Sequence, residues 1–578
     1  MDKTNELHTL SQNEAFLKKA YTSALIPCML SIVSNCANII ADGILVGQKI
    51  GVAGLSAINL CVPVYLILCV IGSFFVSGTA ICASNEIGKG DNDSAQRYYG
   101  TALTMCLVFS VIMAAVGVFL SDAVTSLLCS DPEVYPMVRD YTQVTLIGAA
   151  PKILIYMPFW FLRLDGRNKT VTVMMAIMGV GNILLDILYL FVLDMGVFGA
   201  ALASVIATGV ACVIGFVSQH TGKATFVFRP AVPDKEKLAG MAKAGTPAAL
   251  NNLMQTFRLL FINNVLMSYG GTEAVAVFTV VNGIAAFSEA VTSGVPQAAS
   301  AMLGVYNGEH DNKSTAILLK LEFVSGVINS AVFGVVITAG AGVIGMLYGI
   351  NVPMYIPMLC LALSLIPCLW NSILSGYYSV SGRALLSSAI IFMRVFVFTV
   401  ISLWGLTAAG LIPWLFLPLT ELLTTGVWFF VTRAVSRKDE NISRYMLMDT
   451  SLDKSGNVIN FSMISDNAAI CKACERITGF CEQNGMQAKQ TMRVSLALEE
   501  IMTVISQDNA PNNVNFDIRV FALQDVIGIR IRYDGKALDP LQFDADDDRY
   551  MGVSMIKNLV EELVYSQVVG MNSLMILI

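Results

Sequence analysis

Apolar runs long enough to cross a bilayer fill the first three quarters of this chain and leave few folds open. A hydrophobic stretch of about 18 residues or more reads as a membrane helix. Twelve such runs fall at roughly 20–47, 53–84, 100–128, 137–162, 170–192, 196–218, 240–268, 272–303, 316–348, 353–380, 385–410 and 411–435. Hydrophobic residues make up 55% of the chain and charged residues only 13%, about half the share usual for a soluble domain. The class that fits is an all-α polytopic membrane protein. Lysine and arginine set its expected orientation. Lys18, Lys19, Lys89, Arg97, Arg163, Arg167, Lys313, Arg383, Arg433 and Arg437 fall on one side in this count, against Lys49 and Arg139 on the other. Both termini and a linker over 219–239 are therefore expected in the cytoplasm. Residues 1–19 are polar, so the first span is expected to serve as the insertion signal. No dense basic patch points to nucleic acid. The lone CxxC, Cys471 to Cys474, has no histidines or second CxxC near it, so no metal site is expected.

The spans repeat. Pro151 and Pro367 lie 216 apart (367 − 151), and Gly166-Arg167 and Gly382-Arg383 share that offset. GKGDNDSA, from Gly88 to Ala95, resembles GVYNGEHDNKSTA, from Gly304 to Ala316. These matches divide the spans into two six-helix lobes, 1–218 and 240–436. Six spans per lobe is even, so the lobes share orientation, a parallel repeat about an axis along the membrane normal. Such lobes enclose a central cavity and alternate its access by rocking.

Acids inside the spans are the residues with most to say about function. NCANIIADGILVGQKIG, residues 35–51, places Asp42 within the first run. A carboxylate at membrane depth costs roughly 2.5 kcal/mol or more, so such residues usually face protein or a water-filled cavity; the plainer reading is an acid near the helix end that reaches the interface. Asn182 and Asp186 are four apart and share a helix face. Two such acids suit a proton or small-cation site, or serve helix packing alone.

The runs PCMLSIVSNCANIIADGILVGQKIG, NEIGKGDNDSA and GNILLDILYLFVLDMGVFGAALAS, with the LRLDGR and SVSGR pair, resemble the multidrug and toxic compound extrusion (MATE) family of antiporters, in its bacterial branch. The resemblance implies a multi-pass protein of a bacterial plasma membrane that exports small organic, often cationic or aromatic compounds against inward H⁺ or Na⁺. It further implies a cation-coupling site of Asp42, Asn182 and Asp186, with Tyr141 and Ser204 at matching positions. The second lobe departs from the first, since Ser402 stands where the 216 offset would repeat Asp186. That lobe instead carries Gln255, Arg258, Glu289, Arg394 and Glu421 as cavity candidates. Structural ion pairing is favoured for the two arginines, and a cationic substrate or such pairing for the glutamates. A flippase for lipid-linked or polar cargo, or a transporter-derived sensor, are the other readings.

Past Arg437 the composition becomes that of a soluble domain. Residues 450–578 read as an α/β sandwich: helices over 469–485, 494–507 and 551–567, strands over 514–523 and 526–535 with a turn at Gln524-Asp525, and a last strand over 573–578. SLALEEIMTVIS, YDGKALDP and DDRYMGVSMIKNLVEELVYSQVVGMNSLMI resemble the histidine-kinase-like ATPase fold, in the branch of anti-sigma-factor serine kinases. The resemblance implies a nucleotide site of Glu499, Glu500, Asp534, Gly535 and Gly552. Val504 replaces its Mg²⁺-binding asparagine, so no enzymatic activity is expected. The expected role is regulatory, through a bound nucleotide or a cytoplasmic protein. No cofactor is required beyond the coupling ion.

Overall fold

The computed structural model describes residues 3–50, 52–129, 132, 134–221, 225–231, 234–347, 353–454, 457–523, 526–537, 560–568 and 571–578. In α1 (Lys3–Ile50) the side chains of residues 37–44 lie outside that description, so Asp42 is placed on the helix and no further. The first half continues with α2 (Val52–Lys89), α3 (Asn92–Phe119) and the short α4 (Ser121–Leu128). Next come α5 (Tyr135–Ile147), α6 (Ala149–Leu154) and α7 (Tyr156–Leu164). The expected fourth span is thus not one rod: α5 and the α6–α7 segment meet at a 60° bend. The break falls at Gly148, where a Cβ would collide with Val205, just before Pro151, which has no N–H to continue the ladder. Then α8 (Asn168–Asp186) passes into a π-helical turn, Ile187–Val192, and α9 (Gly196–His220) closes the half.

The second half opens with α10 (Lys235–Thr292), one assigned helix broken at Gly270 and at Gly271 with φ +63°, a conformation that favours glycine. It continues through α11 (Gly294–Gly308), α12 (Asn312–Ala339), α13 (Ala341–Leu347), α14 (Tyr355–Val380) and α15 (Ala384–Phe392). A second π-helical turn, Met393–Val397, leads to α16 (Phe398–Ala408), and α17 (Phe416–Ser436) follows. Among the described residues eight helices are long and apolar enough to cross a membrane, or nine if the bent pair is one span.

The repeated loop motif folds twice into one turn. Gly90, Asp91 and Asn92 N–H donate to Ile87, Glu86 and Gly90 carbonyls, and His310, Asp311 and Asn312 N–H donate to Asn307, Tyr306 and His310. Asp91 then caps α3 by accepting from Ser94 N–H, as Asp311 caps α12 from Ser314 N–H. Every pair is 220 apart (311 − 91 = 220). The second repeated motif also matches, with Gly166 and Gly382 both at φ +75°.

At the end of the bundle that carries these turns, the halves meet without a gap. A Cβ on Gly78 would strike Met241, one on Gly245 would strike Phe74, and one on Gly88 would strike Val305. Glycine is required here because backbone meets backbone. Asn307 Nδ2 donates to Asn85 Oδ1 at 3.1 Å, and Asn85 Nδ2 to the Val380 carbonyl at 3.2 Å.

The tail follows α18 (Ser451–Lys454) with β1 (Val458–Ile464), α19 (Asn467–Gln483), α20 (Ala488–Asn509), β2 (Asn515–Leu523), β3 (Val526–Tyr533), β4 (Glu562–Val568) and β5 (Met571–Leu577). The strands form an antiparallel sheet in the order β1-β2-β3-β5-β4. The helix expected over 551–567 is corrected here. Its second part is β4, where Leu563 and Tyr565 pack into the sheet core, so the apolar pattern is that of a strand. Its first part, with Gly552, lies outside the described residues. One sheet face is apolar and covered by α19 and α20: Phe516, Ile518, Val520, Ile529, Ile531 and Leu574 are all buried there with Ile477, Leu498 and Ile501. The other face carries Asp517, Arg519, Arg530 and Arg532, and it lies against the turns of the bundle.

Candidate functional site

The first half places two polar pairs inside its apolar helices. Asn182 Nδ2 donates to Asp186 Oδ2 at 2.8 Å, and Asp186 is fully buried. One helical turn separates the two, as their spacing requires. The antiparallel packing of α8 on α9 sets the depth. Gly199 lies against Tyr189 and Gly181 faces Ala207, so Asp186 is level with residue 202 or so, and Ser204 is close to that level. Ser204 Oγ accepts from Lys152 Nζ at 2.6 Å. Lys152 comes from α6, on the far side of the Gly148 bend, and its ammonium lies 5.4 Å from the centre of the Tyr65 ring. The bend therefore brings a cation from α6 to Ser204 of α9. Tyr141, on α5, is half-buried and packs with Ala57, Cys61 and Val138.

Lys152 was not singled out from the sequence. The signal was there, a lysine after Pro151 inside an apolar run. So was that of Glu322, a lone acid in LLKLEFVSGVIN on α12. Glu322 is fully buried, and neither carboxyl oxygen has a hydrogen-bond partner among the described residues.

In the second half the expected pairing of arginine with glutamate occurs once. Arg394 Nε lies 3.3 Å from Glu421 Oε1, and Asn371 Nδ2 donates to Glu421 Oε2 at 2.9 Å. Arg394 also donates to Ser372 Oγ at 2.9 Å. Arg258 forms no salt bridge among the described residues, but it lies within electrostatic reach of Glu289, whose carboxylate accepts from Gln255 and is attracted by Arg394 as well. Gln255 lies half-buried one turn before Arg258.

In the tail, the turn at Asp534-Gly535 is fully engaged. Asp534 accepts from Asn515 N–H and Nδ2, both at 2.9 Å, and Lys19 of α1 lies 3.4 Å from its Oδ2. A Cβ on Gly535 would meet Asn509, whose Oδ1 accepts from Lys536 N–H at 2.7 Å. Glu499 is exposed and Glu500 half-buried on α20, and Val504 belongs to the apolar core.

The comparisons with known proteins fall on the helical bundle. Residues 14–188 match the MatE family model. The multidrug export protein MepA of Staphylococcus aureus (strain NCTC 8325 / PS 47) is 25% identical over 425 residues, covering 70% of this chain and 91% of the relative. A solved multidrug resistance MATE family transporter of the MOP superfamily, in an outward-facing conformation, superposes with a TM-score of 0.65 at 21% identity, over 73% of this chain and 97% of that one. A MOP superfamily transporter from Pyrococcus furiosus gives a TM-score of 0.66 at 20% identity, over 75% and 99%. The helical bundle of this chain has the fold of the MATE transporters, and residues 14–188 match the MatE family model.

Proposed function

We propose that the chain is a twelve-span, cation-coupled exporter of small organic compounds that works by alternating access, with a regulatory domain fused on its cytoplasmic side. The multidrug export relatives support the substrate class. The observation that carries the coupling is the buried Asn182–Asp186 pair, with a second polar pair, Lys152 and Ser204, at a similar level on the neighbouring helices. Asp42, on α1, is proposed as the second acid of that site. In this proposal Lys152, bound to Ser204 at a similar level, brings positive charge of the protein's own to the acids that would otherwise attract an alkali cation. That favours H⁺ as the coupling ion over Na⁺: a proton can pass on and off an acid–lysine set without displacing anything. Taking up or losing the proton changes the local charge, which biases the packing of α1, α8 and α9 and so the opening of the first lobe.

The tail is proposed as a docking module without turnover. Both carboxylate oxygens of Asp534 are already engaged, and Val504 lies in the core, so neither is offered to a nucleotide.

The test is efflux of a fluorescent organic cation from vesicles containing the full chain, under an imposed pH gradient or Na⁺ gradient. Export driven by the pH gradient and lost in Asp186→Asn and Lys152→Met is expected. Export driven by Na⁺ alone, or intact in both variants, refutes the assignment of the site.

A further inference from the structure

Among the described residues, the tail alone does not satisfy the charged face of its sheet. Arg519 stands directly opposite Arg530 across β2 and β3, and like charges in that position destabilise a sheet. Arg532 stands opposite Asp517, which it reaches at 2.9 Å, so among the described residues the tail supplies one acid for three arginines. All four side chains are buried. The missing acids come from the bundle. Arg519 Nη1 lies 3.3 Å from Asp311 Oδ1 and Arg532 Nη1 3.3 Å from Asp311 Oδ2. Glu309 pairs with Arg532 and lies 3.5 Å from Arg530. The Arg532 guanidinium also lies 4.5 Å from the centre of the Tyr306 ring.

This contact reaches both halves of the bundle. Glu309 and Asp311 belong to the α11–α12 turn of the second half. Arg530 Nη2 donates at 2.6 Å to the carbonyl of Gly88, next to the equivalent α2–α3 turn of the first half. From that turn Asn92 Nδ2 donates to the Tyr565 carbonyl of β4 at 3.3 Å. Lys19 of α1 joins Asp534, and Thr225 donates to the Gln567 carbonyl at 3.4 Å. The two repeated turns are thus held by one rigid sheet, across the glycine-packed seam where α2 meets α10 and α11.

We infer that the tail sheet is a releasable clamp across the two lobes: docked, it holds the tail-side seam shut, and the lobes separate there only when the arginine face lifts off Glu309 and Asp311. The inference rests on the reading of the bundle as an alternating-access transporter. The clamp suits release because buried ion pairs give specificity of docking more than net stability: water recovers all three arginines and both loop acids when they part. The ordinary state of the undocked acids is solvated and ionised, so opening leaves no unpaired charge in the bundle.

The test compares the full chain in lipid nanodiscs with Glu309→Gln/Asp311→Asn and with the milder Arg519→Gln, by hydrogen–deuterium exchange, and assays the same proteins in vesicles for efflux. The loop variant leaves the tail sequence intact, and protection of β2 and β3 reports whether the tail stays folded. Release of the tail is expected to raise exchange along 74–88 and 304–308 by about tenfold, within the usual range of coupling between sites, and to speed efflux. A released, folded tail with seam exchange unchanged overturns the clamp, as does slower efflux on release, or a tail that neither variant releases. Seam exchange that rises while no protein transports leaves the clamp standing and refutes the transport reading instead.

Discussion

Single side chains decide what this bundle can do with charge, and Asp165 shows how. It sits on the LDGR turn between α7 and α8, 8% exposed. Burial pushes its carboxyl up to about 7, against Thr225 and Arg167, which pull it down. A raised carboxyl means the fold holds the proton more tightly than the unfolded chain does. Its contribution to stability is therefore complete below the ordinary carboxyl range near 4 and is lost as pH rises through about 7. The expected outcome is that wild type loses thermal stability as pH rises from about 4 to about 7 relative to Asp165→Asn, which cannot titrate there, with no further divergence above that. Parallel melting curves for the two proteins across that range would show that the turn opens to water instead. At this scale the sequence was partly legible. Asn182 and Asp186 could be paired from helical spacing alone, because i, i+4 neighbours meet on any helix. Lys152 could not be joined to Ser204, since they sit 52 positions apart on either side of a bend that no local pattern measures.

Elements were more legible than residues. Apolar run length placed the helices broadly, though among the described residues eight or nine spans rather than twelve meet the length and composition of a crossing helix, and the GKGDNDSA repeat, used to divide the chain, falls on two turns with the same hydrogen bonds. What the pattern hid was where rods break. The 60° bend at Gly148 depends on a tertiary contact with Val205, and an apolar run reads the same straight or kinked, whereas the break of α10 at Gly270-Gly271 falls where the runs 240–268 and 272–303 part. Strand β4 was taken for a helix because LVEELVYSQ has apolar spacing that fits either period over so few residues. The glycine seam gives a prediction for elements. Gly245 packs on the Phe74 backbone, and a methyl there has only main chain to push against. Gly245→Ala is expected to pry α10 from α2 at a cost of about 1–3 kcal/mol, as overpacking does elsewhere, seen as a lower melting temperature of the full chain. An unchanged melting temperature would mean that the two helices separate freely, and that the seam does not hold the halves together.

At the scale of the whole molecule, the tail is attached to the bundle in two layers that ought to come apart separately. The inner layer is the hairpin where Ile442 pairs with Asp449. Its Leu447 and Met448 are buried in the same apolar cluster as Tyr378 and Trp428 of the bundle, and Tyr378 donates to the Tyr445 carbonyl at 3.1 Å. The outer layer is the sheet, which has its own core under α19 and α20 and meets the bundle through its charged face, through β1 beside α1 and through buried Met571. Ending the chain after Lys454 removes only the outer layer. It returns Glu309 and Asp311 to water, where they need no partner. Ending it after Arg437 also strips Leu447 and Met448, whose burial is worth about 1.5–3 kcal/mol each. The first truncation is therefore expected to insert and to melt close to wild type, and the second to insert but melt several degrees lower, read from the loss of monodisperse protein in detergent on heating. If both truncations aggregate alike, the sheet is an integral part of the bundle and cannot lift from it, and the two layers are one.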